Sequence, residues 1–161
     1  MILKEKKVSE SQTEVSHLMM PQHANIAGTV YGGAILSIAD SAAYVCAARH
    51  GGPRCVTVSV DQVDFREPIK IGQLVTFKAS VNYVGRTSME IGIRIEAENL
   101  ETGEKRHTNS CYFTMVSLDQ FGKPTAVPKL ICVSELEKRR FREGQIRREH
   151  AKELAEKRKS L

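Results

Sequence analysis

Residues 23–48 read HANIAGTVYGGAILSIADSAAYVCAA and contain the strongest helix signal of the first 130 residues. From about Gly33 to His50 the sequence is rich in alanine, and apolar residues lie on nearly every side of a helix, which predicts that the helix is buried. Three glycines, Gly28, Gly32 and Gly33, lie before it and favour tight turns and close approach of a ligand to the backbone. The stretch therefore predicts a central helix preceded by a glycine-rich loop.

Alternation of apolar and polar residues on both sides of this helix predicts an antiparallel sheet. The odd positions between Gln73 and Val84 are apolar, and the pattern resumes from residue 89 to residue 98 after a turn, as in a hairpin. Further strands are expected at about 13–20, 56–60 and 107–118, the second of them ending or bulging near Gln62. The order strand, helix, four strands predicts an α+β fold in which a curled antiparallel sheet of about five strands wraps around the central helix.

The character of the chain changes after Cys132. Residues 133–161 carry +4 of the formal charge of +5, so residues 1–132 are nearly neutral. Ser134 and Glu137 match a capping box and predict the start of a helix. Glutamates between its basic clusters favour a solvated helix laced with ion pairs. We therefore expect one globular domain over residues 1–132 and a charged C-terminal helix over residues 133–161, with neither nucleic acid nor membrane as a partner.

The remaining composition indicates a cytoplasmic protein. The first ten residues lack the apolar core of a secretory signal, and no apolar run approaches the roughly 20 residues that span a bilayer. The four cysteines are widely spaced and form no C-x-x-C pair, so neither a zinc site nor a disulfide framework is indicated. We expect these cysteines to be reduced.

Asp40 is the sole charged residue between Gly33 and Ala48. Burying a lone carboxylate on a helix costs free energy unless the carboxylate is paired with a cation or has a chemical role. An ion pair with an arginine of another strand is one explanation. A chemical role is the other, because the unpaired N–H groups of the first helical turn can donate to a carbonyl oxygen that gains negative charge. On this evidence the glycines before the helix fit a packing role equally well.

Together these features resemble a known family. Met20-Pro21, residues 23–28, Gly32-Gly33 and Asp40 resemble the hot-dog acyl-CoA thioesterases of the bacterial single-domain type and the related two-domain brain-type acyl-CoA hydrolases. The likeness extends through residues 64–68, 71–72, 85–88 and 121–124 and covers roughly residues 12 to 130. The motifs are specific as a set, although none is specific alone. The resemblance implies the hot-dog fold.

The resemblance also implies an activity, the hydrolysis of fatty acyl-CoA to free acid and CoA. No metal or cofactor is implied, since CoA is part of the substrate and the product. The family's loop asparagine and helix acid fall on Asn25 and Asp40. In that interpretation Asp40 is the general base for water or the nucleophile, Asn25 orients the water or the thioester, and the Gly33 N–H polarises the carbonyl. The sequence leaves base and nucleophile open.

Substrate-binding residues are expected in the hairpin turn and in the loop before the helix. The turn offers a guanidinium, two hydroxyls and backbone donors for the CoA phosphates, although taken alone it is an ordinary turn. In the loop, His23 is expected to order the backbone by hydrogen bonding rather than to act as a base. The expected substrate-binding set is His23, Gly32, Arg66, Gly85, Arg86, Thr87 and Ser88, with Lys70 as a weaker phosphate candidate.

The family likeness implies a homodimer with shared active sites, further assembled as a trimer of dimers. Asp40 follows Gly33 by seven residues, which is roughly 10 Å along one helix. A single chain therefore cannot easily bring both to one thioester carbonyl. In hot-dog dimers two central helices lie side by side in opposite directions, which would place Asp40 of one chain near Asn25 and Gly33 of its partner.

Two other functions compete with hydrolysis. A non-catalytic acyl-CoA-binding sensor of the repressor type would need a separate DNA-binding helix pair, for which the chain has no room. A dehydratase acting on an acyl thioester would need a histidine base in the cleft. Since every candidate site residue lies at Ser88 or earlier, the C-terminal helix is expected to be dispensable for turnover.

Overall fold

The computed structural model describes residues 4–61 and 63–160. Its helices and strands are β1 (Lys6–Lys7), β2 (Thr13–Leu18), α1 (Gly32–Gly51), β3 (Cys55–Val60), β4 (Leu74–Val84), β5 (Ser88–Glu98), β6 (Lys105–Ser117), β7 (Leu130–Ile131) and α2 (Glu135–Lys159). Five strands form an antiparallel sheet in the order β2-β4-β5-β6-β3, which curls around α1. The predicted α+β hot-dog architecture is confirmed. The short parallel pair of β1 and β7 was not predicted.

The core lies between α1 and the inner face of the sheet. Alternate residues of the three long strands point inward, and Phe77, Ile93 and Phe113 are at most 2% exposed. The helix meets them with small residues such as Ala39 and Ala43, which are fully buried. Burial of apolar surface stabilises this arrangement by about 25 cal/mol per Å².

Within one chain, one stripe of α1 remains exposed, although the apolar pattern of the helix predicts burial. Gly33, Ser37, Ser41 and Tyr44 recur every three or four residues and are exposed. Residues at this spacing form one stripe along a helix. Within residues 4–61 and 63–160, no element covers that stripe in the single chain. The helix therefore presents a stripe of mostly small residues on the surface of the single chain.

β3 is an edge strand that pairs only with β6. Its register shifts between Thr57 and Ser59, which marks Val58 as the extra residue of a β-bulge. The strand ends at Val60, close to the predicted end near Gln62, whereas Gln62 itself lies outside the described residues. Val58 is 58% exposed, so the unpaired edge carries apolar side chains.

α2 begins with the predicted capping box: Glu137 N–H donates to Ser134 Oγ, and Ser134 N–H donates to the Glu137 carboxylate. The helix was expected to be solvated, but part of it packs on the outer face of the sheet, the face away from α1. There the Phe141 ring lies 5.0 Å from the Tyr83 ring, and Gly144 is buried. No helix within residues 4–61 and 63–160 is both long and apolar enough to cross a membrane.

Candidate active site

Asp40 lies half-buried on α1. Thr57 Oγ1 donates a hydrogen bond of 2.6 Å to Asp40 Oδ1. Among the described residues no lysine or arginine forms a salt bridge with this carboxylate, so the ion-pair explanation of Asp40 does not hold within the chain. The carboxylate is instead oriented by a neutral donor through one of its oxygens.

Thr57 was missed by the sequence interpretation. In the sequence it is one polar residue of an alternating strand and carries no motif. Its place depends on tertiary structure: it pairs with Met115 of β6, and its hydroxyl lies 3.1 Å from Met115 Sδ, on the inner face of the sheet. Its regular pairing with Met115 directs its side chain to this face, and the bulge begins only after it.

The loop before α1 is organised by Asn25. Its Oδ1 accepts hydrogen bonds from the backbone N–H groups of Ala27 (2.9 Å) and Thr29 (3.1 Å), and its Nδ2 donates to Thr29 Oγ1 at 3.0 Å. Gly28 has φ +80°, a conformation that favours glycine. Asn25 is nevertheless exposed, and its amide is held by its own loop in a fixed direction.

His23 makes the kind of contact expected of a loop-ordering residue. Its Nδ1 accepts a hydrogen bond of 3.0 Å from the Met20 N–H, and its carbonyl accepts one from the Tyr31 N–H. These bonds tie the beginning of the loop to the residue directly before α1.

The start of α1 is open. Tyr31 is the N-cap residue and provides no side-chain cap, and Gly33 is exposed. A Cβ at Gly32 would lie 3.0 Å from the Phe65 ring, so glycine at this position permits close contact with the segment after β3. The uncapped N–H groups of the first turn therefore face an accessible surface, where they can donate to an incoming oxygen.

The structure brings some predicted residues together and separates others. Asp40 meets Thr57 at the middle of α1, whereas Asn25 and Gly33 lie at its N-terminal end. At about 1.5 Å per residue, Gly33 and Asp40 are roughly 10 Å apart along one helix. One chain thus holds the predicted site residues in two separate groups rather than in one.

The β4–β5 turn is firmly held and presents Arg86 outward. Gly85 N–H donates to the Ser88 carbonyl at 2.8 Å, and Val127 N–H donates to the Arg86 carbonyl at 3.0 Å. Arg86 is exposed, whereas Ser88 is only 8% exposed. A cavity of about 610 Å³ beside the turn is lined by Lys4, Glu5, Gly85, Arg86, Ala126, Val127 and Lys129. Arg66 is exposed but does not line this cavity.

The cysteines have the character of packing residues. All four are free, and burial raises the pKa of Cys46 and Cys111 to about 12, which suppresses the reactive thiolate. Among the residues that the structure describes, no group of three or more His, Cys, Asp or Glu is placed to hold a metal ion.

Comparison with known proteins gives consistent matches. The profile of the Thioesterase superfamily matches residues 27–104. Protein VdlD of Helicobacter pylori is 48% identical over 134 residues, which are 83% of this chain and 76% of that protein. The cytosolic acyl coenzyme A thioester hydrolase of Rattus norvegicus is 38% identical over 87% of this chain, which spans 37% of that longer protein.

Solved structures agree with the sequence matches. The acyl-CoA hydrolase from Bacillus cereus is 34% identical with a TM-score of 0.90, and the match covers 98% of this chain and 97% of that one. A hexameric acyl-CoA thioesterase in its apo form is 35% identical with a TM-score of 0.91 and covers 95% of this chain and 98% of its own. The Staphylococcus aureus acyl-CoA hydrolase, solved with butyryl coenzyme A and coenzyme A, is 31% identical with a TM-score of 0.86 over 96% of each chain.

The S. aureus enzyme was also solved as three alanine variants, of an asparagine, an aspartate and a threonine. In that chain the asparagine precedes the aspartate by 15 positions and the threonine follows it by 17, the spacings that relate Asn25, Asp40 and Thr57 here. With near-complete coverage at identities above 30%, the chain belongs to the thioesterase superfamily and, within it, to the acyl-CoA thioester hydrolases of the hot-dog fold.

Proposed function

We propose that the chain hydrolyses the thioester of fatty acyl-CoA and that Asp40 acts on water or on the thioester itself. The observation that carries the proposal is the half-buried Asp40 carboxylate, which is held through Oδ1 by Thr57 and is free of any salt bridge with a described residue. A carboxylate oriented in this way can accept a proton from water or attack a carbonyl carbon. These two roles remain the alternatives for Asp40.

The general-base route has two steps, the addition of water and the loss of the thiolate. Water adds to the thioester carbonyl while Asp40 takes its proton, and the carbonyl oxygen becomes an oxyanion. Collapse breaks the carbon–sulfur bond and the thiolate leaves with a proton, which gives the free acid and CoA. Backbone donors such as the Gly33 N–H stabilise the oxyanion, and Asn25 orients the water or the thioester through its amide.

We propose that two chains complete each site. The exposed stripe of α1 includes Ser37 and Ser41, and small residues allow another helix to approach closely. Beside it, β3 offers an unpaired edge whose Val58 is 58% exposed, and such an edge is a template for pairing with another strand. Antiparallel pairing of two α1 helices would bring Asp40 of one chain to Asn25 and Gly33 of its partner.

The larger assembly is proposed to be a trimer of such dimers. One structural relative with 95% coverage of this chain is hexameric. Three twofold-symmetric pairs give that number of chains while each pair keeps its own shared sites.

The CoA phosphates are proposed to bind beside the β4–β5 turn. Arg86 is exposed there, and Lys4 and Lys129 line the same cavity, against a single acidic residue, Glu5. A guanidinium with two ammonium groups suits the phosphates of CoA. The hydroxyl and the backbone N–H of Thr87 would add donors, whereas its carbonyl accepts from the Ser117 N–H and the buried Ser88 would support the turn.

Release of CoA thiol from acyl-CoA, followed with a thiol reagent, tests the function. Wild-type protein should release thiol, and Asp40→Asn should reduce kcat by at least about a hundredfold while keeping the fold by circular dichroism. A sensor or a dehydratase would release no thiol. Unchanged turnover in Asp40→Asn would refute the catalytic assignment, and a series from acetyl-CoA to palmitoyl-CoA would define the acyl chains accepted.

A further inference from the structure

α2 places one arginine over the outer face of the sheet. Arg147 forms a two-pronged ion pair with Glu90 of β5, with Nε to Oε2 at 3.0 Å and Nη2 to Oε1 at 2.6 Å. Its guanidinium carbon also lies 3.8 Å from the centre of the Tyr112 ring on β6. Glu90 is only 7% exposed, so loss of this partner would leave a buried carboxylate without its salt bridge.

The end of β3 borders the same outer-face region. Asp61 directly follows β3, and its N–H donates to the Tyr112 carbonyl at 3.0 Å. Burial, and then the neighbouring Glu90 carboxylate, raise the pKa of Asp61, whereas Arg147 acts in the opposite direction. A small cavity is lined by Ser59, Asp61, Glu90 and Arg147, among others. One cation therefore compensates two carboxylates at the meeting point of β5, β6 and β3.

On the opposite face of these strands lies Thr57. Across the sheet, Glu90 pairs with Thr114, and Thr114 pairs with Ser59, which is the residue after the bulge. Thr57 stands on the other side of that bulge and reaches Asp40. Within one chain β3 has β6 as its single strand neighbour, and its bulged segment shares the outer-face cavity with Arg147.

We propose that Arg147 is a positioning residue for hydrolysis, which acts through β3: by pairing with Glu90 and facing Asp61 it fixes the bulged segment and so keeps Thr57 in contact with Asp40. This inference rests on the proposed role of Asp40. It makes α2 part of the catalytic unit, contrary to the sequence-based expectation that the C-terminal helix is dispensable.

Gly144 sets how closely α2 approaches. A Cβ at this position would lie 2.8 Å from Tyr83 Cβ and 3.0 Å from Glu90 Oε1. A larger residue must push the helix away from the sheet and withdraw Arg147, one turn further along. Gly144→Leu should therefore reproduce the effect of losing Arg147 without removing a charge.

The test uses the full chain and the thiol-release assay. Arg147→Met should lower kcat about tenfold, with KM changed less than twofold, because the geometry of the reacting groups and not CoA binding is affected. The matched control is Arg148→Met, since Arg148 lines the same cavity but forms no salt bridge with any described residue. It should keep wild-type kcat.

Repeating the substitution in a second variant separates a positioning role of Arg147 from a general effect on stability. In Thr57→Ala, where the contact with Asp40 is already lost, adding Arg147→Met should lower kcat less than about twofold. An equal factor in both backgrounds, or wild-type kcat in Arg147→Met, would overturn the proposal. If Arg147→Met does not fold, Glu90→Gln in both backgrounds answers the same question, because it removes the buried charge and keeps a hydrogen-bond acceptor. If Asp40→Asn is inactive and Arg147→Met keeps wild-type kcat, this inference alone is rejected. If Asp40→Asn is active, the proposed function is rejected.

Discussion

Thr57 Oγ1 lies 2.6 Å from Asp40 Oδ1. This hydrogen bond joins the edge strand β3 to the central helix α1 at Asp40, the one charged residue in the apolar stretch of that helix. A hydrogen bond from a hydroxyl to a carboxylate is stronger than one between neutral groups. The pair fixes one carboxylate oxygen and thereby determines the direction of the other. The catalytic competence of Asp40 should therefore depend on a residue of a different element.

Thr57→Ala should lower kcat by about 10- to 100-fold, which corresponds to the loss of one charge-assisted hydrogen bond. Thr57→Ser retains the hydroxyl and should recover most of the activity. Thr76→Ala is the matched control, because its hydroxyl pairs with Ser16 on a different strand pair and should not matter for turnover. Steady-state kinetics would contradict the assignment if Thr57→Ala kept wild-type kcat.

Complementation should reveal a shared site. Asn25→Ala and Asp40→Ala are each expected to be inactive. If they are unfolded and refolded together in equal amounts, about half of the dimers are mixed, and each mixed dimer regains one intact site, so activity should return to about a quarter of wild type. Differently tagged chains allow mixed dimers to be isolated. Mixed dimers without activity would show that both residues serve one chain's site or that one is misassigned.

Arg86→Ala should raise KM for acyl-CoA about tenfold and leave kcat nearly unchanged, because phosphate binding lies away from the thioester. Raising salt should increase KM in the wild type, since exposed cations are screened, and this dependence should be weaker in the variant. Arg142→Ala, an exposed position on α2, is the control. An unchanged KM in Arg86→Ala would move the phosphate site elsewhere.

His50 should make the fold sensitive to acid. It is 1% exposed, one ring nitrogen lies 2.9 Å from the Pro128 carbonyl, and Nδ1 has no hydrogen-bond partner in the described structure. Burial lowers the pKa of His50 below its ordinary 6.5. Because the unfolded chain then binds a proton more readily than the folded one, stability is full above about pH 6.5 and decreases as pH falls below it.

Thermal unfolding between pH 8 and pH 5 measures this effect. His50→Gln retains a donor for the Pro128 carbonyl and should lose about 1–2 kcal/mol at neutral pH through imperfect packing, but its stability should depend less on pH. His150→Gln, exposed on α2, should behave like the wild type. An identical acid dependence in His50→Gln and wild type would exclude His50 as the cause.

The sequence identified those residues whose chemistry contrasts with their surroundings. Asp40 is conspicuous because it is the only charge between Gly33 and Ala48 in a largely apolar helix, and most strands of the sheet follow from regular alternation. Thr57 and Glu90 occupy ordinary polar positions in strands. Their importance arises from partners 17 and 57 residues away, Asp40 and Arg147, which local patterns do not encode.

Two expectations were incomplete for a related reason. The apolar pattern of α1 predicts burial but does not distinguish internal packing from contact with another chain, and within one chain a stripe of α1 is exposed. Likewise, the charges of α2 predict a solvated helix, and most of its residues are exposed, but they do not reveal the side that packs on the sheet. A glycine, an aromatic residue and one arginine were sufficient to attach it to the sheet.

The bulge in β3 also bears on how the strand tolerates changes in length. On either side of Val58 the partners on β6 are consecutive, with Thr57 opposite Met115 and Ser59 opposite Thr114. Deletion of Val58 alone would therefore leave both pairings in place. Deletion of any other residue from Thr57 to the end of the strand would shift the pairing by one residue and turn the following side chains to the opposite face. Related sequences of different length should accordingly gain or lose a residue in β3 at this single position.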